Sequence, residues 1–219
     1  MGDLEKTDDK QIVNQLKKEF ANPKQQLNLV SPYFVPGKLG VESITELIKS
    51  GVKVRILTNS LAATDVGSVH AGYAKYRKDL LTAGVDLWEL KADPRTKQAS
   101  TTSISSEEKE TQVKNSLHAK TFTADNNQYF VGSFNLDPRS AYLNAEMGFF
   151  IQSPELVLDL NQALDTQLPL IAWQVQLDQN QDIVWTDNLG HKFDADPGSS
   201  WLKRCWLKFL SWMPIEWAL

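Results

Sequence analysis

Apolar residues recur along the first 90 positions in two alternating rhythms. Over residues 8–21, Ile12, Leu16 and Phe20, with Val13 beside them, have helical spacing behind a cap candidate at Asp8 or Asp9. QLNLVS at 26–31 then reads as a short strand that Pro32 ends. Val41, Ile44, Leu47 and Ile48 predict a helix over 41–50, stopped by Gly51. VKVRILT at 52–58 predicts a second strand, residues 69–83 a helix ended by Gly84, and VDLWEL at 85–90 a third strand. An α-β-α-β-α-β order implies parallel strands joined by helical crossovers.

The rhythm breaks at 93–115, DPRTKQASTTSISSEEKETQVKN, which is rich in Ser, Thr, Lys and Glu and predicts a flexible surface loop. A hairpin follows at 116–135, with apolar runs flanking Asp125-Asn126-Asn127. Next come a turn (LDPRS), a strand over 144–151, a helix over about 154–168 with Pro154 in its first turn, and a second hairpin over 172–187. The whole predicts an α/β fold, a mixed β-sheet flanked by helices.

Composition narrows the function only a little. A chain of 219 residues suffices for one core plus a small appendage. Its net charge of −4 disfavours a nucleic-acid partner. The single cysteine, Cys205, excludes an internal disulfide. No Cys/His cluster has metal-ligand spacing, so no metal site is expected. No apolar run is long enough for a transmembrane helix, and the polar N-terminus lacks the apolar core of a signal peptide.

The first hairpin carries unexpected chemistry. Side chains two apart in a strand share a face. His118 and Lys120 form one such pair, Ser133 and Asn135 a second, Asn144 and Glu146 a third. On three neighbouring strands they would gather an imidazole, an ammonium, a hydroxyl, two carboxamides and a carboxylate on one patch. Burying such groups is costly unless they pair with one another or with a ligand. Imidazole serves as nucleophile or as general acid and base near neutral pH. Convergent donors stabilise the oxygens of a phosphoryl group in its transition state. Glu146 would fix the tautomer and charge of a histidine. The residue types point to phosphoryl transfer through histidine.

His118-x-Lys120-x4-Asp125, followed by Gly132-Ser133-x-Asn135 and Asn144-x-Glu146, resembles the phospholipase D superfamily signature, the HKD motif. SPYFVP (31–36), LTNSLAATD (57–65), VHAGYAKYR (69–77), GSFNLDPRSAYLNAEMG (132–148) and WMPIEWAL (212–219) are similar to the C-terminal half of bacterial cardiolipin synthases. The resemblance implies a phospholipase D-type half-domain that transfers phosphatidyl groups without a cofactor, through a phosphohistidine. His118, Lys120, Ser133, Asn135 and Glu146 are its implied catalytic residues. Two-motif members carry two signatures that meet face to face, whereas this chain has one; neither His70 nor His191 is followed by the pattern. His118 would then be the general acid, and later the base. The other half-site would come from a missing N-terminal half-domain or from a second copy in a homodimer.

Each assignment has a plainer alternative. Asp125 sits at a turn, where Asp bonds locally, and reads as structural. Ser31, Tyr33, Asn59, Ser60 and Asp65 follow strand ends, where ligands bind, and with Asn144 are substrate-contact candidates; turn formation is the equal alternative. His70 reads as a partly exposed helix residue. The tail at 201–219 holds four tryptophans, and Leu202, Trp206, Phe209, Leu210 and Met213 share an arc beside Lys203, Arg204 and Lys208. Such a helix fits a membrane surface, or docks on the domain. The expected organisation is a catalytic half-domain over 1–170 and a C-terminal hairpin and tail over 171–219. The expected setting is peripheral, on the bacterial inner membrane, with its side open and a phospholipid as substrate. The rival readings are a homodimeric single-motif phosphodiesterase or nuclease, and an inactive isolated half.

Overall fold

Three parallel strands form the middle of the sheet: β1 (Gln26–Val30), β2 (Lys53–Asn59) and β3 (Asp86–Leu90), with β1 pairing β2 and β2 pairing β3. The computed structural model describes Leu16, Lys18 and residues 22–92 and 116–205. The rest of the helix expected over 8–21, the loop expected over 93–115 and the tail beyond 205 lie outside the described residues. The crossovers are α1 (Gly37–Lys49), then α2 (Gly67–Ala74) and α3 (Arg77–Ala83). The single helix expected over 69–83 is therefore two. Tyr76 N–H bonds the Tyr73 carbonyl at 2.9 Å, a three-residue turn that breaks the run and turns Arg77 inward. Gly84 ends α3 at φ +100, a conformation that glycine adopts without steric cost.

Antiparallel strands extend both edges. On one side β4 (Thr121–Ala124) pairs β1, β5 (Gln128–Gly132) pairs β4, and β6 (Gly148–Gln152) pairs β5. Between β5 and β6 the segment expected as a turn forms a short helix, α4 (Pro138–Tyr142), capped by the Asp137 carboxylate, which accepts the Ser140 N–H at 2.7 Å. The strand expected over 144–151 starts only at Gly148, because 144–147 form a loop held by side chains.

On the other side α5 (Pro154–Ile171) leads into β7 (Ala172–Leu177), which pairs β3; β8 (Ile183–Thr186) and the two-residue β9 (Lys192–Phe193) follow. Helix α5 outruns its expected end at 168. Pro169 lies near its C-terminus and removes one N–H bond without stopping it. Among the described residues the nine strands make one sheet, so the hairpin after residue 170 continues the sheet of the first part.

The two faces follow strand alternation. Leu27, Val54, Ile56 and Leu87 pack on Ile44 and Leu80 of α1 and α3, while Val30 and Leu57 pack on Leu164 and Leu168 of α5. Inside the first layer lies a charged cluster. Glu89, with no exposed surface, accepts from Tyr73 Oη and Trp185 Nε1, each at 2.9 Å, and Arg77 Nε lies 3.0 Å from it. Arg77 Nη2 lies 2.9 Å from His70 Nε2 and 3.1 Å from Asp196 Oδ1. His70, expected at a partly exposed helix position, is thus buried in this cluster. Burial opposes both charges, but Glu89 and Asp196 hold Arg77 above its usual range, and Arg77 and His70 hold Asp196 well below the carboxylate range.

Candidate active site

The register brings one edge of the sheet together. Val30, the last residue of β1, pairs Thr121; Thr121 pairs Val131; and Gly132 pairs Gly148. The three polar pairs read from the sequence all sit just past this edge rather than inside strands. His118 and Lys120 precede β4, Ser133 and Asn135 follow β5, and Asn144 and Glu146 precede β6. Hydrogen bonds, not strand alternation alone, therefore aim them.

The first two pairs, His118 with Lys120 and Ser133 with Asn135, line a cleft of about 530 Å³ together with Tyr33 and Asp65, among others, whereas Asn144 and Glu146 are not on its lining. The His118 imidazole is exposed, whereas Lys120 is buried and donates through Nζ to the His118 carbonyl oxygen at 2.9 Å. Burial pushes the Lys120 ammonium below the usual lysine range; Glu146, Asp137 and Asp65 oppose that shift. Among the described residues Asn135 Oδ1 is buried with no hydrogen-bond partner, an acceptor left open at the cleft. The cleft floor depends on two glycines. A Cβ at Gly132 would lie 2.4 Å from the Met147 carbonyl oxygen, and one at Gly148 2.3 Å from the Phe130 ring.

Glu146 was expected to orient a histidine, but its partner is Ser133. The Ser133 hydroxyl donates to Glu146 Oε2 at 2.5 Å and accepts the Met147 N–H at 3.0 Å. Asn144 Nδ2 donates to Glu146 Oε1 at 3.2 Å, and Arg139 Nε donates to Asn144 Oδ1 at 3.4 Å. Asn144 thus braces Glu146. Arg139 and Asp137 escaped the sequence reading, although Asp137-Pro138 is a helix-start signal. The exposed apolar rim at Met147 and Phe149 escaped it too, because both read as interior strand positions.

The strand-end residues divide. Tyr33 and Asp65 face the cleft, and Tyr33 Oη lies 3.0 Å from both Asp65 oxygens. Burial and the neighbouring carboxylate push the Tyr33 phenol up to about 12. Ser31, Asn59 and Ser60 are buried and bonded to main chain instead. Ser31 Oγ donates to the Tyr33 carbonyl at 2.7 Å and accepts the Leu136 N–H at 3.3 Å; Ser60 Oγ accepts the Ala63 N–H at 3.2 Å. Asp125, at φ +52, takes the N–H groups of Lys24, Gln25 and Gln26 at 2.7–3.2 Å, far from the cleft. Among the described residues no second imidazole lines the cleft; His191 is exposed and pairs with Asp187 at 2.9 Å.

Chemically, the cleft sets an ammonium, a hydroxyl and a carboxamide near an exposed imidazole, with a phenol–carboxylate pair also on its lining. The first group suits phosphoryl oxygens, and the second suits hydrogen-bond donors attached to the same phosphorus.

Comparison with known proteins places this geometry in context. A family model described as the cardiolipin synthase, phospholipase D-like domain matches residues 16–168. The chain is 42% identical to cardiolipin synthase C of Escherichia coli over 203 residues, which is 91% of the chain and 42% of that relative. It therefore spans about two fifths of that curated relative's length. Among solved structures, Nuc from Salmonella typhimurium, a phospholipase D family member, superposes with a TM-score of 0.55 at 14% identity, covering 86% of this chain and 95% of that one. Phosphatidylserine synthase from Haemophilus influenzae gives a TM-score of 0.52 at 18% identity, covering 71% of this chain and 36% of its own. These two likenesses establish the fold.

Proposed function

Since the chain belongs to the phospholipase D-like family of cardiolipin synthases, we propose that it supplies one of two half-sites for phosphatidyl transfer in cardiolipin synthesis. The observation that carries this reading is the gathering of His118, Lys120, Ser133 and Asn135 on a single cleft. In the first step a histidine of the opposing half-site attacks phosphorus, and the bond from phosphorus to the departing alcohol oxygen breaks. His118 gives that oxygen its proton. In the second step His118 takes the proton of the acceptor alcohol, whose oxygen displaces the phosphohistidine. Lys120 and Asn135 hold the non-bridging oxygens as charge develops, and Ser133 joins them when its hydroxyl proton turns from Glu146 to the phosphoryl group. Glu146 orients Ser133, and the Tyr33–Asp65 pair meets the alcohol portion of the substrate. The opposing half-site comes from an N-terminal half-domain, as the length of the relatives favours, or from a second copy. The substrate is reached at a membrane surface. Among the described residues no helix is long and apolar enough to cross one, and the C-terminal tail provides peripheral attachment.

The test is a phosphatidyl-transfer assay on phospholipid vesicles, with the chain alone and with the N-terminal half of a full-length relative added, beside its mass in solution. Transfer that needs the added half or a dimer, and that vanishes in His118→Ala, supports the proposal. Transfer by a monomer rules out the two-histidine mechanism. A dimer that cleaves nucleic-acid phosphodiesters and transfers no lipid puts the homodimeric phosphodiesterase in its place.

A further inference from the structure

Asn59 closes β2 and does not face the cleft; it is 2% exposed. Its carboxamide turns instead to the segment that carries the motif. Oδ1 accepts the Leu117 N–H at 2.9 Å, and Nδ2 points at Ser116 Oγ at 3.2 Å and at the carbonyl oxygens of Leu117 and Pro32, each at 3.4 Å. The side chain thus pairs with both polar groups of Leu117, as a neighbouring strand would. Leu117 is further fixed by its own side chain, which packs on the cluster of Val30, Leu57 and Leu168.

On the other side of His118 a second anchor operates. Gly132 N–H bonds the Lys120 carbonyl at 3.2 Å, and Lys120 Nζ bonds the His118 carbonyl. His118 and Ala119 are exposed and belong to no strand, so these flanking anchors set where the imidazole stands. Asn59 is itself held firmly. It pairs Leu90 across β2 and β3, and the next residue, Ser60, donates its N–H to the Leu90 carbonyl at 3.3 Å.

We infer that Asn59 is a positioning residue: by gripping the Leu117 peptide it fixes the main chain of His118 and hence the line along which the imidazole meets phosphorus. Its importance for rate rests on the proposed function; its grip on His118 does not. A displacement of about 1 Å at a reacting group costs on the order of 100-fold in rate. Removing the carboxamide also leaves the Leu117 N–H without its partner, which favours a rearranged segment.

The experiment uses the full chain labelled with ¹⁵N-histidine. With only three histidines, His118→Gln assigns the ring signals directly. In Asn59→Ala the His118 signals should shift or broaden while those of His191, which pairs with Asp187 at the far hairpin, stay in place. In the complete two-half enzyme the same substitution should lower kcat about 100-fold with KM little changed. Asn59→Ser, whose hydroxyl is shorter, serves where the alanine variant folds poorly. Unaltered His118 signals in a folded variant would overturn the inference. So would loss of the cooperative unfolding transition in both variants, which would make Asn59 a residue of the fold alone. Should the wild-type enzyme transfer no lipid, the proposed function fails, and the ring signals still decide the role of Asn59.

Discussion

Lys120 donates its ammonium to the main-chain carbonyl oxygen of His118, 2.9 Å away. The two motif residues are therefore coupled through the backbone before any substrate arrives. Lys120→Ala should both remove a phosphate contact and loosen His118, lowering transfer by about 2.7–4 kcal/mol, as loss of an oxyanion donor does. Because burial lowers the Lys120 pKa, its ammonium should lose its proton below the ordinary lysine value of about 10.4. A transfer assay of the variant checks the first expectation, and an NMR titration of the Lys120 side chain the second.

Ser133 and Glu146 share one short hydrogen bond and should behave as a unit. Ser133→Ala and Glu146→Gln should each depress kcat, and the double variant should lose little more than the worse single one. A double-mutant cycle on kcat/KM measures this coupling.

Gly148→Ala should destabilise the fold by about 1–3 kcal/mol, the usual cost of overpacking. The added Cβ meets the Phe130 ring, which is stacked on Phe122 at 5.1 Å between centroids and has little room to yield. Urea unfolding, read at the midpoint, tests it.

Asp196 is held well below the carboxylate range because Arg77 and His70 together outweigh its burial. Its folded pKa thus lies below the unfolded one. The stability it contributes is fully present above about pH 4 and is lost as pH falls through the folded-state value. Between neutral pH and strong acid, wild type should therefore lose more stability than Asp196→Asn. Thermal melts across that range give the comparison.

Removing residues 201–219 should weaken binding to anionic vesicles, and added salt should weaken it in the intact chain. The first turn of this tail already exposes Trp201 and Leu202 while Lys203 Nζ donates to the Leu61 carbonyl at 2.5 Å. Vesicle co-sedimentation of both forms decides between membrane attachment and docking alone.

The sequence made the alternation of β1 to β3 with their helices legible because each element carries its own periodicity and a glycine or proline stop. It also exposed the polar pairs, since six chemistry-bearing side chains at spacings of two are conspicuous in apolar surroundings. It could not show where the strands end. Asn144 and Glu146 read as strand residues because alternation continues through them, yet bonds to Ser133 and Arg139 hold them in a loop. Nor could it separate Tyr33 and Asp65, which face the cleft, from Ser31, Asn59 and Ser60, which bond main chain. That division depends on contacts such as Asn59 with Leu117, 58 positions apart. The burial of His70 was hidden for the same reason: Asp196, which pairs with Arg77 beside it, is remote in the chain.

Asp125, bound to the start of β1, also gives the motif a unit of length. The four residues between Lys120 and Asp125 are β4 itself, Thr121–Ala124. The spacing is thus a gauge: one end of the strand delivers the ammonium to the cleft, and the other hooks onto the N–H groups of residues 24–26. Four residues span about 13 Å at strand rise. One residue more or fewer in regular strand geometry would turn one end to the opposite face relative to the other. The signature that marks the chemistry is, in physical terms, the measured width of a sheet.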